Sequence, residues 1–266
     1  MWMNELFAIE KPIIGLVHLD ALPGTNSYIE EDGIESIIRN ARYDYLSLVE
    51  GGIDSVIFCN ENDKPYSRKV EPHIIAIMTK IINSVVGDNS DLPFGVDIQW
   101  DPKASLAVAL ATKASFIRGI VCGTFCGDLG FLTPDTEEIF NYRKKINACH
   151  IRVLNNISPE FSDSIDRRPI ILRAKTIVNS SQVDGLCVSG VMAGVLTSYA
   201  ELHDIKDALG EFPVIANTGV NFENIVYVLE NVDACIVATC LKTDANPKNR
   251  IDVNNVKKLM ALARER

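Results

Sequence analysis

The sequence predicts a single (β/α)8 barrel of the TIM type, and three observations carry that prediction. Eight short β-branched runs recur along 266 residues, at roughly 33 residues per unit, the size expected of such a barrel. Each run is nearly continuous in apolar residues rather than alternating, as expected for parallel strands covered on both faces. Each is followed by polar or glycine residues and then by a helical pattern. A doubly wound open sheet would use fewer strands, and no Gly-x-Gly-x-x-Gly follows the first run. No linker or low-complexity segment interrupts the chain, so residues 1–266 are expected to form one barrel domain.

The eight runs are residues 12–17, 55–59, 94–98, 116–121, 151–154, 185–188, 214–216 and 234–237. Between the first two, Ile34, Ile37, Ile38, Ala41, Tyr45 and Leu48 fall on one helical face, and Gly51-Gly52 end that helix. Glu71-Pro72 opens the next helix, which carries Ile74, Ile75, Met78, Ile81 and Ile82. Residues 104–112 follow, rich in the alanines that close packing on a sheet favours. Thr133-Pro134 opens a helix toward Tyr142, and residues 168–179, 199–209, 222–229 and 253–263 supply the rest. Asp252 is placed to cap the last of them.

Composition narrows the function. The formal net charge is −9, from 26 Lys+Arg against 35 Asp+Glu, which argues against a nucleic-acid binder, since phosphate backbones need a basic face. No apolar run approaches the roughly 20 residues of a membrane span. The opening residues lack the basic-then-apolar pattern of a secretory signal. The seven cysteines are scattered, several inside apolar runs, and Cys122 and Cys126 lack a downstream pair to complete a zinc site. A cytoplasmic protein with reduced thiols and no membrane span is expected.

Active sites of such barrels lie at the C-terminal ends of the strands, so the residues following each run are the candidates. His18 ends the first run and has the neutral-pH acid/base character of a catalytic group, or else bonds a neighbouring loop. His73, His150 and His203 fall on helices or at a strand start and read as structural. Asp97 sits in an apolar strand and needs a partner, for which Arg118 is placed one strand along. That pair reads equally as a structural ion pair or as a base with its positioning arginine. Asp128, within Gly127–Gly130, reads as a base, a metal ligand or a loop cap.

Loops after the seventh and eighth strands of such barrels often bind phosphate. Thr218, Gly219 and Thr239 are the expected cup, with Ser189 and Gly190 as a third side, although the same residues also suit plain tight turns. Asn60, Arg152, Asn217 and Lys242 are candidate substrate contacts. No cofactor is predicted and no metal-ligand spacing is present, while oxygen ligands at the rim leave a divalent cation open.

These residues resemble the BtpA/SgcQ family over most of the chain, from Ile13 to Met260. The resemblance is carried by Ile14-Gly-Leu-Val-His18-Leu-Asp-Ala-Leu-Pro-Gly24, by Gly51-Gly-Ile-Asp-Ser55 leading to Asn60 and Asp63-Lys-Pro-Tyr66, and by Phe116-Ile-Arg118 and Asp128-Leu-Gly130. Asp184-Gly-Leu-Cys-Val-Ser-Gly190, Pro213-Val214, Gly219-Val220, Glu223-Asn224, Leu241-Lys242 and Ile251-Asp252 complete it. The resemblance implies a phosphate-binding (β/α)8 barrel, similar in fold to phosphoribosylanthranilate isomerase. Members are associated with photosystem I accumulation and with carbohydrate-uptake genes. The rim departs from the family pattern at Cys59-Asn60, at Trp100-Asp101-Pro102, at Asn155-Asn-Ile-Ser-Pro159 and at Ala238.

Two readings of function follow. One is an enzyme acting on a small phosphorylated sugar or nucleotide-derived metabolite, by isomerisation, lyase chemistry or glycosidic-bond cleavage. In it His18, Asp97 and Asp128 supply acid/base groups and Arg118 orients anionic oxygen. The other is a non-catalytic assembly or regulatory factor that works through its surface, of the photosystem I biogenesis kind. Oligomerisation suits a barrel of this size, and the sequence does not fix its order.

Overall fold

The computed structural model describes residues 2–87 and 92–265. Eight parallel strands close into a barrel: β1 (Ile13–His18), β2 (Ser55–Cys59), β3 (Phe94–Asp97), β4 (Phe116–Gly119), β7 (Arg152–Asn156), β9 (Gly185–Val188), β10 (Val214–Ala216) and β11 (Ala234–Val237). Helices α2 (Gly33–Glu50), α3 (Pro72–Val86), α4 (Pro102–Thr112), α5 (Thr136–Lys145), α6 (Ile170–Ser180), α7 (Tyr199–Leu209), α8 (Ile225–Asn231) and α9 (Val253–Arg264) follow the strands in turn. The (β/α)8 architecture read from the sequence is the one observed. No helix among the described residues is long and apolar enough to cross a membrane.

Side chains alternate across each strand, and the alternation sorts the core into two clusters. Outward residues such as Ile13, Val17, Val56, Phe58, Val96, Ile117 and Val153 pack under the helices. Inward residues, among them Ile14, Leu16, Ile57, Phe116, Leu154, Ile215 and Ile236, fill the barrel. Gly95 faces inward because the Phe116 ring occupies its place: a Cβ there would lie 2.3 Å from that ring. Such an overlap forbids any larger residue without moving the phenylalanine.

Two features were not anticipated. Helix α1 (Trp2–Phe7) plugs the N-terminal end of the barrel, with Met3 and Phe7 joining the interior cluster and Phe7 meeting Phe116 edge-on at 6.0 Å. Above the other end, β5 (Phe125–Gly127), β6 (Gly130–Leu132) and β8 (Ser162–Ser164) form an antiparallel sheet in the order β6-β5-β8. Each of these strands has three residues, too short to show a period.

Boundaries moved at several elements. The first strand extends to His18, which places the imidazole on the inward face. Helix α4 starts at Pro102, with the Asp101 carboxylate accepting the Ala104 amide. Helix α5 starts two residues after Pro134, at Thr136, because Asp135 caps it. Asp252 caps α9 as expected, accepting the Asn254 amide.

Candidate active site

The last inward residue of several strands builds the floor of a cavity of about 770 Å³ at the C-terminal mouth, within the range of small-ligand sites. His18 ends β1, Asp97 ends β3, Arg118 lies on β4, Asn156 ends β7 and Asn217 follows β10; all five line the cavity. Period-two alternation and the parallel register are what bring them level. Thus His18 stands beside Cys59, and Cys59 beside Asp97.

Asp97 and Arg118 form a buried ion pair. Arg118 Nε donates to Asp97 Oδ2 at 2.9 Å and Nη2 makes a second contact with the same oxygen. Burial pushes the Asp97 carboxyl up and the Arg118 guanidinium beside it pulls it back. Burial works against the Arg118 charge, but Asp97 more than offsets it and holds the guanidinium protonated. Arg118 Nη1 also donates to Asn217 Oδ1 at 2.8 Å. The amide of Asn217 donates in turn to Ser189 Oγ at 2.8 Å and to Glu160 Oε1 at 3.2 Å. Asn156 Nδ2 reaches the other oxygen, Glu160 Oε2, at 3.2 Å.

Two carboxylates that the sequence reading passed over therefore stand in the cavity wall. Glu160, beyond β7, is pushed above the ordinary carboxyl range by burial, with Arg118 only partly offsetting it. Glu61, beyond β2, behaves oppositely: burial would raise it, yet His18 and Lys64 beside it bring it below the usual value. Lys64 Nζ lies 2.8 Å from Glu61 Oε1, and Gln99 Nε2 donates to Oε2 at 3.0 Å. Environments that push two acids apart are how proteins assign an acid and a base at one pH.

His18 lies deep in the mouth, and its ring makes no hydrogen bond to the protein among the described residues. Burial lowers its pKa from 6.5 to about 4, with Glu61 working the other way. The imidazole is therefore neutral at pH 7. As pH falls below 6.5 the unfolded chain takes up this proton first and the folded chain only near 4, so the stability in question is full above 6.5 and lost down to 4. We expect wild-type protein to lose up to about 3 kcal/mol from this group over that window. Urea unfolding at stepped pH should show a flatter acid limb in His18→Asn; parallel limbs would refute the assignment.

The remaining sequence candidates are placed as follows. Asp128 lines the cavity from the exposed turn between β5 and β6, at its rim. Thr218, Gly219 and Thr239 also line it, and the Thr239 hydroxyl has no hydrogen-bond partner among the described residues. Gly219 has φ +75°, a conformation that favours glycine. A Cβ there would lie 2.0 Å from the Leu196 amide nitrogen, so residues 195–196 pack directly against it. Ser189 and Gly190 do not reach the cavity wall. The Gly190 amide donates to Thr218 Oγ1 at 3.1 Å, and that hydroxyl donates to the Val195 carbonyl at 3.0 Å. The loop after β9 thus fills the third side of the expected cup.

Three substrate-contact candidates stand elsewhere. Asn60 is buried and organises its own loop: Oδ1 accepts the Gln99 amide at 2.8 Å and Nδ2 donates to Asp63 Oδ2 at 2.9 Å. Arg152 sits at the start of β7, at the opposite end of the barrel, paired with Asp184 at 2.9 Å and stacked on the Trp2 ring. Lys242 Nζ donates to the Pro247 carbonyl at 2.9 Å, outside the cavity lining. No cluster of three metal-ligating side chains occurs among the described residues.

Tyr66 and Trp100 supply an aromatic side to the cavity, their ring centres 6.0 Å apart. Trp100 has φ +68°, a left-handed conformation uncommon for a bulky residue. Its ring packs against the cluster Ile120, Phe125 and Leu132 beneath the three-stranded sheet.

Fold and site together define a (β/α)8 barrel with a charged pocket at the C-terminal mouth. The chain belongs to the BtpA family, whose model matches residues 9–265. It is 38% identical over 259 residues to the sgc region protein SgcQ of Escherichia coli, covering 97% of this chain and 96% of that one. It is 25% identical over 259 residues to the photosystem I biogenesis protein BtpA of Synechocystis, covering 95% and 88%. Among solved structures, thiamine phosphate pyrophosphorylase from Pyrococcus furiosus superposes with a TM-score of 0.58 at 15% identity, covering 100% of this chain and 98% of that one. Phosphoribosyl anthranilate isomerase from Thermus thermophilus gives 0.58 at 11%, covering 94% and 97%. At such identities the likeness to these enzymes is one of fold.

Proposed function

We propose that this protein is an enzyme acting on a small phosphorylated metabolite by general acid/base catalysis, with Glu160 as the acid and Glu61 as the base. The observation that carries the proposal is the pair of cavity carboxyls held on opposite sides of the ordinary range, Glu160 above and Glu61 below. A proton-bearing Glu160 can protonate a leaving or carbonyl oxygen, while ionised Glu61 removes a proton elsewhere. The two stand three strands apart round the barrel, beyond β7 and β2. Neutral His18 adds a hydrogen-bonding group between charged neighbours, and Asp97 holds Arg118 as a fixed cation beneath the substrate. Isomerisation, aldol-type cleavage and glycosidic-bond cleavage can each use this division of labour.

The phosphate end is assigned to the Thr239 hydroxyl and the main chain at Thr218 and Gly219, where two βα loops meet the cavity, since the Thr218 hydroxyl is committed to the Val195 carbonyl. Anchoring a remote phosphate supplies binding energy that positions the reacting atoms. The solved neighbours named for phosphorylated compounds support this reading through their shared fold.

The test is thermal unfolding against a panel of sugar phosphates, nucleotides and plain phosphate. A ligand at about 100 times its Kd adds roughly 2.7 kcal/mol, a rise on the order of 5–10 °C. We expect one phosphorylated metabolite to exceed the effect of plain phosphate, and Thr239→Asp to remove that excess. A response no greater than plain phosphate from any compound would count against the enzyme. It would favour the assembly-factor reading, for which the exposed Phe131, Phe161 and Val191 offer an apolar surface.

A further inference from the structure

A second cavity, of about 610 Å³, lies outside the barrel between α5, α6 and the ends of β5 and β8. Its lining differs in kind from that of the mouth. Two arginines face it, Arg168 and Arg173, with Asp166 the one acidic side chain and a set of hydroxyls around them. Asp166 is already committed to Arg168, whose Nε donates to both carboxylate oxygens at 2.9 and 3.0 Å. That leaves Arg173 as the cation without a carboxylate partner in the lining.

The Arg173 side chain is itself under-satisfied. Its Nε is buried and has no hydrogen-bond partner among the described residues. Its one hydrogen bond is a long one, Nη1 to the Ile157 carbonyl at 3.4 Å. A buried cation short of acceptors is unfavourable, so the guanidinium calls for a ligand oxygen at its remaining N–H groups. Two further donors share the cavity. Thr124, just before β5, and Ser164, at the end of β8, both line it. Neither hydroxyl has a hydrogen-bond partner among the described residues. The hydroxyls of Thr136, Thr176, Ser180 and Ser181, by contrast, already donate to main-chain carbonyls.

We propose that this cavity is a binding site for a phosphoryl group, anchored by Arg173 with the Thr124 and Ser164 hydroxyls. A guanidinium presents several N–H donors in a fixed fork, which matches the oxygens of a phosphate, and hydroxyl donors complete the shell. The volume exceeds what a bare phosphate fills, so the natural occupant is a small phosphorylated compound, a second ligand distinct from the one in the mouth. The two cavities share a wall: β5 lines the outer one through Phe125 and the mouth through Gly127, and β8 contributes Ser164 and Ser162 likewise.

Titration calorimetry with inorganic phosphate tests this in four proteins: wild type, Thr239→Asp, Arg173→Met and the double variant. Thr239→Asp is expected to keep a phosphate site, and Arg173→Met in that background to weaken it at least tenfold. Arg173→Lys should retain part of the affinity, and acetate at equal ionic strength should not displace phosphate. Far-UV circular dichroism checks the fold of each. Unchanged phosphate binding in the double variant would overturn the proposal, as would the absence of binding in Thr239→Asp alone. Displacement by acetate would overturn the phosphoryl class.

Discussion

Replacing Arg118 by methionine is expected to destabilise the fold by about 3–5 kcal/mol, because it leaves the Asp97 carboxylate buried without its counter-charge. Asp97 is 1% exposed and Arg118 8% exposed, so both are largely withdrawn from water at the cavity floor. Urea unfolding measures the loss. Asp97→Asn combined with Arg118→Met should recover much of it, since removing both charges removes the uncompensated one. A loss below about 1 kcal/mol for Arg118→Met would mean that solvent screens the pair. The loss of Arg118 also frees Asn217 Oδ1, and with it one of the two amides that hold Glu160. The same variant should therefore disturb the acid as well as the fold.

Much of this was legible in the residues and part was not, for reasons that can be named. The barrel was legible because fully buried parallel strands leave continuous apolar runs, and eight such runs survive in the sequence. His18, Asp97, Arg118 and Asn217 stood out because each is a polar residue in or just beyond an apolar strand. The Asp97–Arg118 pair followed from adjacency of the third and fourth strands. Glu61 and Glu160 were hidden because they sit beyond their strands, where the loop path decides which way a side chain points. That path is set by contacts between distant residues. Gln99 from the β3 end holds Glu61, and Asn156 and Asn217 from two strands hold Glu160. A signal existed in Asn60-Glu61 and Pro159-Glu160, carboxylates two residues past the end of β2 and directly after a rigid proline.

Arg152 and Lys242 show the converse. Both follow the pattern of polar residues near strand runs, yet Arg152 belongs to the first residue of its strand and so to the far end of the barrel. A one-residue error in a boundary leaves the face uncertain, but an error about which end of the strand carries the residue moves it across the whole barrel. Lys242 lies five residues past β11, where Arg250 bridges Asp20 and Asp44 and ties the loop to α2 and the β1 end. The Ile251 amide donates to Asp44 at 2.9 Å. That clamp directs the loop away from the cavity after Thr239 and Cys240 have lined it.

Glu160→Gln is expected to lower kcat by about 10²–10⁴, the range for losing a positioned proton donor, on whichever phosphorylated compound the thermal panel selects. The substitution keeps the side chain's size and one carbonyl-type acceptor but sets its NH2 against the amide of Asn156 or Asn217, so a stability loss of about 1–3 kcal/mol is expected while KM should hold. The pH dependence separates a proton donor from a merely positioning group. Burial raises the Glu160 pKa, so the catalytic proton is present at low pH and lost as pH rises through that raised value. Wild-type kcat should therefore fall on the alkaline side, and the residual activity of Glu160→Gln should lack that fall. Glu61 is lowered, so its base form persists well into acid, and Glu61→Gln should remove the acid limb instead. The two variants thus act on opposite limbs of one bell-shaped profile. An alkaline limb kept in Glu160→Gln would transfer the proton to another group. A matching loss of stability and activity, recovered together by Glu160→Asp, would make Glu160 a structural strut between Asn156 and Asn217.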